Sequence, residues 1–243
     1  KVAATLKHYL GYSTPWSGKD RTPAYIPERQ LREIFLPPFA QAVDAGALSV
    51  MVNSGEMNGI PTHANRFVLT DLLRGELGFD GVAVTDWEDI RYLKSRHKVA
   101  ATHKDAIRMA ILAGIDMSMV PQDWEFPVLL KELVAEGAIS EARIDLSVRR
   151  ILTLKERLGL LEEGGDTLPD MLTAEERVAL EKAPAQAALE CITLLKNEND
   201  VLPIAGSANV FVSGPTANSL NALNGGWSGT WQGKNPKYNN PGR

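Results

Sequence analysis

Short apolar runs separated by helix-length patterns recur along residues 1–160, and this alternation restricts the fold more than any single residue does. Four runs stand out: the segment ending at Leu6, then residues 48–52 (LSVMV), 82–85 (VAVT) and 115–120 (IDMSMV). A short, continuous apolar run suits a strand covered on both faces, as in parallel sheets built with crossover helices.

The intervening helices have readable ends. Thr70 before DLLRGEL, closed by Gly78, reads as a capped helix, and residues 103–113, closed by Gly114, as another. The segment SEARIDLSVRRILTLKERLG starts on Ser140 as an N-cap, carries Ile144, Val148, Ile151 and Leu152 on one stripe, and stops at Gly159. In PERQLREIFLPPFAQAVDAG, Pro37 and Pro38 each lack a backbone donor, which predicts two short helices meeting at an angle.

From Glu162 the texture becomes rich in glycine, proline and acid (EEGGDTLPDM), which places a domain boundary there. The expected division is residues 1–163, a linker over 164–180, and a second α/β unit over 181–243. A capping box from Thr173 to Glu176 opens a helix expected to break near Pro184, with a later strand in NVFVSGP. Four β/α units are half of the eight in an α/β barrel, so the chain reads as a piece of a longer protein.

Composition excludes several functions. No stretch approaches the roughly 20 uninterrupted apolar residues of a membrane span. A net charge of -4 is too mild to imply nucleic acid or an anionic surface. The single cysteine, Cys191, rules out an internal disulfide and a cysteine-based zinc site. The histidines at 8, 63, 97 and 103 show no HxH or HxxxH spacing, so neither a metal nor a cofactor is expected. The run SRHK at 95–98 reads as a solvated charged loop.

Ligands of parallel sheets bind at the C-terminal ends of the strands. That rule singles out Lys7 and His8, Asn53 and Ser54, Asp86 with Trp87 in GVAVTDW, and Met119 with Val120. Each has an ordinary alternative: Asp86 as a helix N-cap, Lys7 and His8 as a solvated strand end, Trp87 as core. Together they suit a neutral, polyhydroxylated ligand. Lys and His donate to hydroxyls, Asp accepts or attacks, and an indole offers a flat face to a sugar. A phosphate would call for a glycine-rich turn instead. Lys7 is also a candidate Schiff-base lysine of a lyase. In NGGWSGTWQG, Trp227 and Trp231 either fill an interface or stack on a ligand.

Several motifs then resemble, in order, those of family 3 glycoside hydrolases: KHYLG, NGIPTHANRFVLTDLLRGELGFDGVAVTDWEDI, AGIDMSMVP, LLKNENDVLPI and GGWSGTWQG. The resemblance covers essentially the whole chain. It implies the C-terminal half of a (β/α)8 TIM-like barrel followed by the start of an α/β sandwich domain. It also implies a retaining β-glucosidase or β-glucan exohydrolase acting on a β-glucoside or β-gluco-oligosaccharide, in the periplasm or outside the cell. Asp86 would be the nucleophile, Lys7 and His8 would bind sugar hydroxyls, Trp87 and Met119 would line the subsite, and Trp231, supported by Trp227, would clamp the leaving sugar. Ser54 falls where the family commonly has Tyr, a difference expected to alter the hydrogen bonding of the nucleophile. The acid/base Glu of the family has no counterpart residue here. A sugar-binding relative without turnover is the alternative.

Overall fold

The apolar runs do what their burial on both faces demands: they line up in parallel. A computed structural model describes residues 2–162, 172–227, 230, 231 and 233. In chain order the elements are β1 (Thr5–Tyr9), α1 (Glu28–Gln30), a π-helical turn (Leu31–Phe35), α2 (Pro37–Asp44), β2 (Ser49–Val52), β3 (Glu56–Met57), β4 (Ile60–Pro61), a short helical turn (Thr62–Ala64), a π-helical segment (Phe67–Glu76), β5 (Val82–Val84), α3 (Asp89–Ser95), α4 (His103–Ala113), α5 (Glu125–Ala135), α6 (Glu141–Leu158), α7 (Ala174–Glu190), a second short turn (Glu198–Asp200) and α8 (Leu220–Asn224). Two units result, Lys1–Pro169 and Asp170–Arg243. The expected boundary begins at Glu162, and the first part of the expected linker, up to residue 171, lies outside the described residues.

In the first unit β1, β2 and β5 pair in parallel in that order, with Leu6 opposite Val50 and Val50 opposite Ala83. β1 runs further than its apolar stretch, so Lys7 and His8 lie within the strand and not beyond it. The fourth run differs from expectation. Residues 115–120 meet β5 through a single bridge, Val84 to Met117, because the amides of Asp116 and Met117 both donate to the Ala83 carbonyl and no regular ladder follows.

The core is made by Tyr9, Val50, Val52, Leu69, Leu72, Leu73, Ala83, Ile107 and Ile111, which sit between the sheet and the helices that cross over it. Gly81 is needed where β5 begins, since a Cβ there would lie 2.3 Å from the Leu48 carbonyl oxygen. Helix ends follow local chemistry where the cap is local. Ser140 caps α6 by accepting from the Arg143 amide, and Gly159 closes it in the left-handed conformation.

Two helical expectations are corrected. Thr70 is not a cap: it lies inside the π-helical segment and donates to the Ala113 carbonyl at 2.8 Å, while Asn65 Oδ1 accepts from the Val68 amide nearer the true start. The expected break at Pro37–Pro38 is present as a bend at Leu36, between the helical stretch that ends at Phe35 and α2. Leu36 keeps helical angles and its amide bonds the Leu31 carbonyl in a π-type turn.

The second correction falls in the second unit, where α7 opens on the expected Thr173–Glu176 capping box but runs unbroken through Pro184 to Glu190. The helix accommodates the proline although it lacks a backbone donor and crowds the preceding turn. The segment NVFVSGP carries no strand.

Candidate active site

Asp86 follows β5, and every backbone donor around it is occupied. The Thr85 amide bonds the Met117 carbonyl, the Glu88 amide bonds the Met119 carbonyl, and the Met119 amide bonds Thr85 Oγ1 at 2.8 Å. The Asp86 amide points at His63 Nε2, 3.3 Å away. Asp86 is not the cap of α3, which starts at Asp89 after a left-handed Glu88.

The carboxylate itself is buried and divided in function. Oδ1 accepts the Trp87 amide at 2.6 Å. Oδ2 has no hydrogen-bond partner among the described residues, yet lies 3.6 Å from Arg21 Nη2 and 3.8 Å from His8 Nε2. One oxygen is thus fixed and the other faces two nitrogen bases. Burial and the Lys7 charge lower the His8 pKa, with Asp86 opposing them. Burial opposes the charge on Arg21, but Asp86, Tyr12 and Asp89 together outweigh it and the guanidinium pKa is raised.

The residues singled out by strand logic are brought together unevenly. His8, Ser54, Asp86 and Trp87 converge, and Met119 joins them through its backbone. Trp87 is 46% exposed, as a ring offered to a ligand would be. Lys7 is exposed on the β1 strand. Ser54 acts at one remove: its hydroxyl donates to Asp89 Oδ1 at 2.8 Å. Trp227 and Trp231 belong to the second unit, where the Trp227 amide bonds the Trp231 carbonyl at 3.0 Å and both rings are exposed.

Four residues of this site escape motif reasoning: Arg21, His63, Asp89 and His97. Arg21 sits in the loop after the Lys-His strand, so its position at a strand end was the available signal. The SRHK segment is not a wholly solvated loop, because the His97 side chain is buried and its Nδ1 lies 2.6 Å from Glu56 Oε1. Among the described residues, His103, Asp123 and Glu125 could gather around a metal ion. Arg91 already pairs with Asp123 at 3.2 Å, and a second cation there would meet that charge.

Asp89 gives the site a pH signature. Burial pushes its carboxyl up to about 7, the Ser54 hydrogen bond pulls it down, and the Asp86 charge raises it. The folded chain therefore holds a proton that the unfolded chain releases near its ordinary 3.8. Stability is fullest below that value and is lost as pH rises toward 7. Asp89→Asn, which has no charge to bury, is expected to match wild type near pH 4. At pH 8 it should exceed wild type by about 2 to 4 kcal/mol in denaturant unfolding of the intact protein. Parallel stability curves for the two proteins from pH 4 to 8 would contradict this.

Known proteins resemble this chain in sequence and in fold. Residues 1–154 match the model of the glycosyl hydrolase family 3 N-terminal domain. The chain is 53% identical over 237 residues to a lysosomal beta glucosidase of Dictyostelium discoideum, covering 96% of this chain and 29% of that protein. It is 33% identical over 233 residues to a periplasmic beta-glucosidase of Salmonella typhimurium, covering 93% of this chain and 30% of that protein. The crystal structure of a mutant exo-1,3/1,4-beta-glucanase from a Pseudoalteromonas species superposes with a TM-score of 0.85 at 32% identity, over 98% of this chain and 38% of that one. The chain thus spans under two fifths of the length of each. The parallel sheet of the first unit is of the TIM-barrel α/β type. By its sequence and by its fold, the chain belongs to glycosyl hydrolase family 3.

Proposed function

We propose that the intact protein is a retaining glycoside hydrolase that releases terminal β-D-glucose from β-glucosides or β-gluco-oligosaccharides. The observation that carries this reading is the Asp86 carboxylate, buried at a strand end with one oxygen held and the other lacking a hydrogen-bond partner among the described residues. An oxygen so placed can attack an anomeric carbon without first breaking a protein hydrogen bond. Attack forms a glycosyl ester on Asp86 as the leaving oxygen takes a proton. Water then adds to the same carbon and returns the carboxylate, with a second carboxyl group about 5 to 5.5 Å away serving as acid and then base. No residue of this chain is given that second role.

Lys7 and His8 would bind hydroxyls of the glycone, and Arg21 would hold charge beside the attacking oxygen. Trp87 would stack on the ring, Met119 would line it, and Ser54 would act through Asp89. Trp227 and Trp231 would hold the leaving sugar. On this reading residues 1–163 are the second half of the barrel, 164–180 a linker and 181–243 the beginning of a sandwich domain. The names of the lysosomal and periplasmic relatives support a place outside the cytoplasm, in the periplasm or beyond the cell.

The test is release of the coloured aglycone from an aryl β-glucoside by the intact protein, followed with glucose binding. Release supports hydrolysis. Glucose binding without release would leave a sugar-binding relative, and borohydride trapping of a substrate on Lys7 would point to a lyase instead.

A further inference from the structure

We propose that His63 is a positioning residue for the Asp86 nucleophile, holding its backbone amide through Nε2 while the carboxylate oxygen Oδ2 is left to meet substrate. The inference rests on the proposed hydrolytic role of Asp86 and extends it to a group that touches neither substrate nor the reacting oxygen. His63 is 2% exposed and lies in the short helical turn Thr62–Ala64. Its Nε2 is 3.3 Å from the Asp86 nitrogen, and a backbone N–H can only donate. Nε2 must therefore carry a lone pair, and the ring proton belongs on Nδ1.

The surroundings enforce that state. Burial above all, and the neighbouring His97 with it, drive the His63 pKa down to about 3. His97 is in turn held by Glu56 at 2.6 Å. The groups facing His63 are thus His97 with its Glu56 partner, and Asp86, whose amide it receives. Protonation of His63 would place a second N–H against that amide, so the low pKa keeps the contact intact through the acidic range. Among the four amides of residues 85–88, only that of Asp86 reaches a side chain outside its own turn. Loss of that contact frees the peptide that aims the carboxylate, and a misplacement of about 1 Å costs on the order of 100-fold in rate.

The test compares His63→Leu with His63→Gln in the intact protein, using an aryl β-glucoside. Leucine fills the space without an acceptor and is expected to lower kcat by about 100-fold with KM changed less than about threefold. Glutamine restores an acceptor and is expected to recover at least tenfold of that loss. Leucine at wild-type kcat, or glutamine no better than leucine with both proteins folded by thermal unfolding, would overturn the proposal. A second readout does not need activity. In protein labelled with 15N-histidine, His63 is expected to show a bare Nε2 and a protonated Nδ1 from pH 8 to below pH 5. An Nε2–H tautomer, or titration near 6.5, would overturn the proposal even if wild type released no aglycone, an outcome that would instead sink the hydrolase reading.

Discussion

Asp86→Ala in the intact protein is expected to reduce turnover of an aryl β-glucoside by about 10,000-fold or more, since it removes the group to which the sugar would be transferred. The fold should survive. Asp86 Oδ2 has no hydrogen-bond partner to lose, and Oδ1 serves the amide of its own neighbour. Removing the carboxylate leaves Arg21 with one fewer anion at 3.6 Å, but Arg21 also lies 3.7 Å from Asp20. A fluorinated glucoside, whose ester hydrolyses slowly, should add its mass to the peptide holding Asp86. Label on Asp20, Glu88 or Asp89, or more than about one hundredth of wild-type turnover in Asp86→Ala, would remove Asp86 from the role.

What the sequence disclosed depended on how local the signal was. β2, β5 and α6 were legible because their determinants lie within each segment: unbroken apolar burial for the strands, and Ser140 and Gly159 for the helix. Asp86 was legible as a strand-end residue by position alone. Its partners were not, because Arg21 and His63 reach it from separate segments whose convergence no spacing rule records. A search for histidines two or four residues apart finds metal sites on one helix or strand. It passes over His63 and His97, which are far apart in the chain yet close enough for one to shift the other. The fourth strand was overread for a related reason. Residues 115–120 have the right composition, but Asp116 turns its carboxylate to the Ala83 amide of β5 and to arginines, and the ladder stops at one bridge. Pro184 is a departure of another kind: α7 runs through it despite the lost donor and the ring's clash with the preceding turn, which cost a helix about 3 kcal/mol.

The largest stability effect is expected at that same Asp116. Its side chain is fully buried and accepts from Arg74 at 2.7 Å, the Ala83 amide at 3.0 Å, Ser147 at 2.6 Å and Arg150 at 3.0 Å. Arg143 stands 3.7 Å away and bonds Ser147 and the carbonyls of Ile111 and Ile115. One carboxylate therefore joins the π-helical segment 67–76, the start of β5 and α6. Burial holds the Arg74 pKa down to about 10, with the Asp116 charge opposing that shift. Asp116→Ala would leave three largely buried guanidinium groups without their shared anion. Breaking such a pair costs about 3 to 5 kcal/mol, enough to unfold many proteins. Asp116→Asn keeps the shape and one acceptor oxygen but loses the charge and turns the other oxygen into a donor facing donors, and should cost less than alanine, about 2 kcal/mol. Denaturant unfolding of the intact protein measures both, and an alanine variant within about 1 kcal/mol of wild type would contradict the assignment. The network lies at the N-terminal end of β5, while Asp86 follows its C-terminal end, so the strand separates a stabilising carboxylate from a reacting one. The asparagine variant, where it folds, should accordingly turn over substrate within about threefold of wild type per folded molecule. A catalytic loss near that of Asp86→Ala would mean instead that the two ends of the strand are coupled.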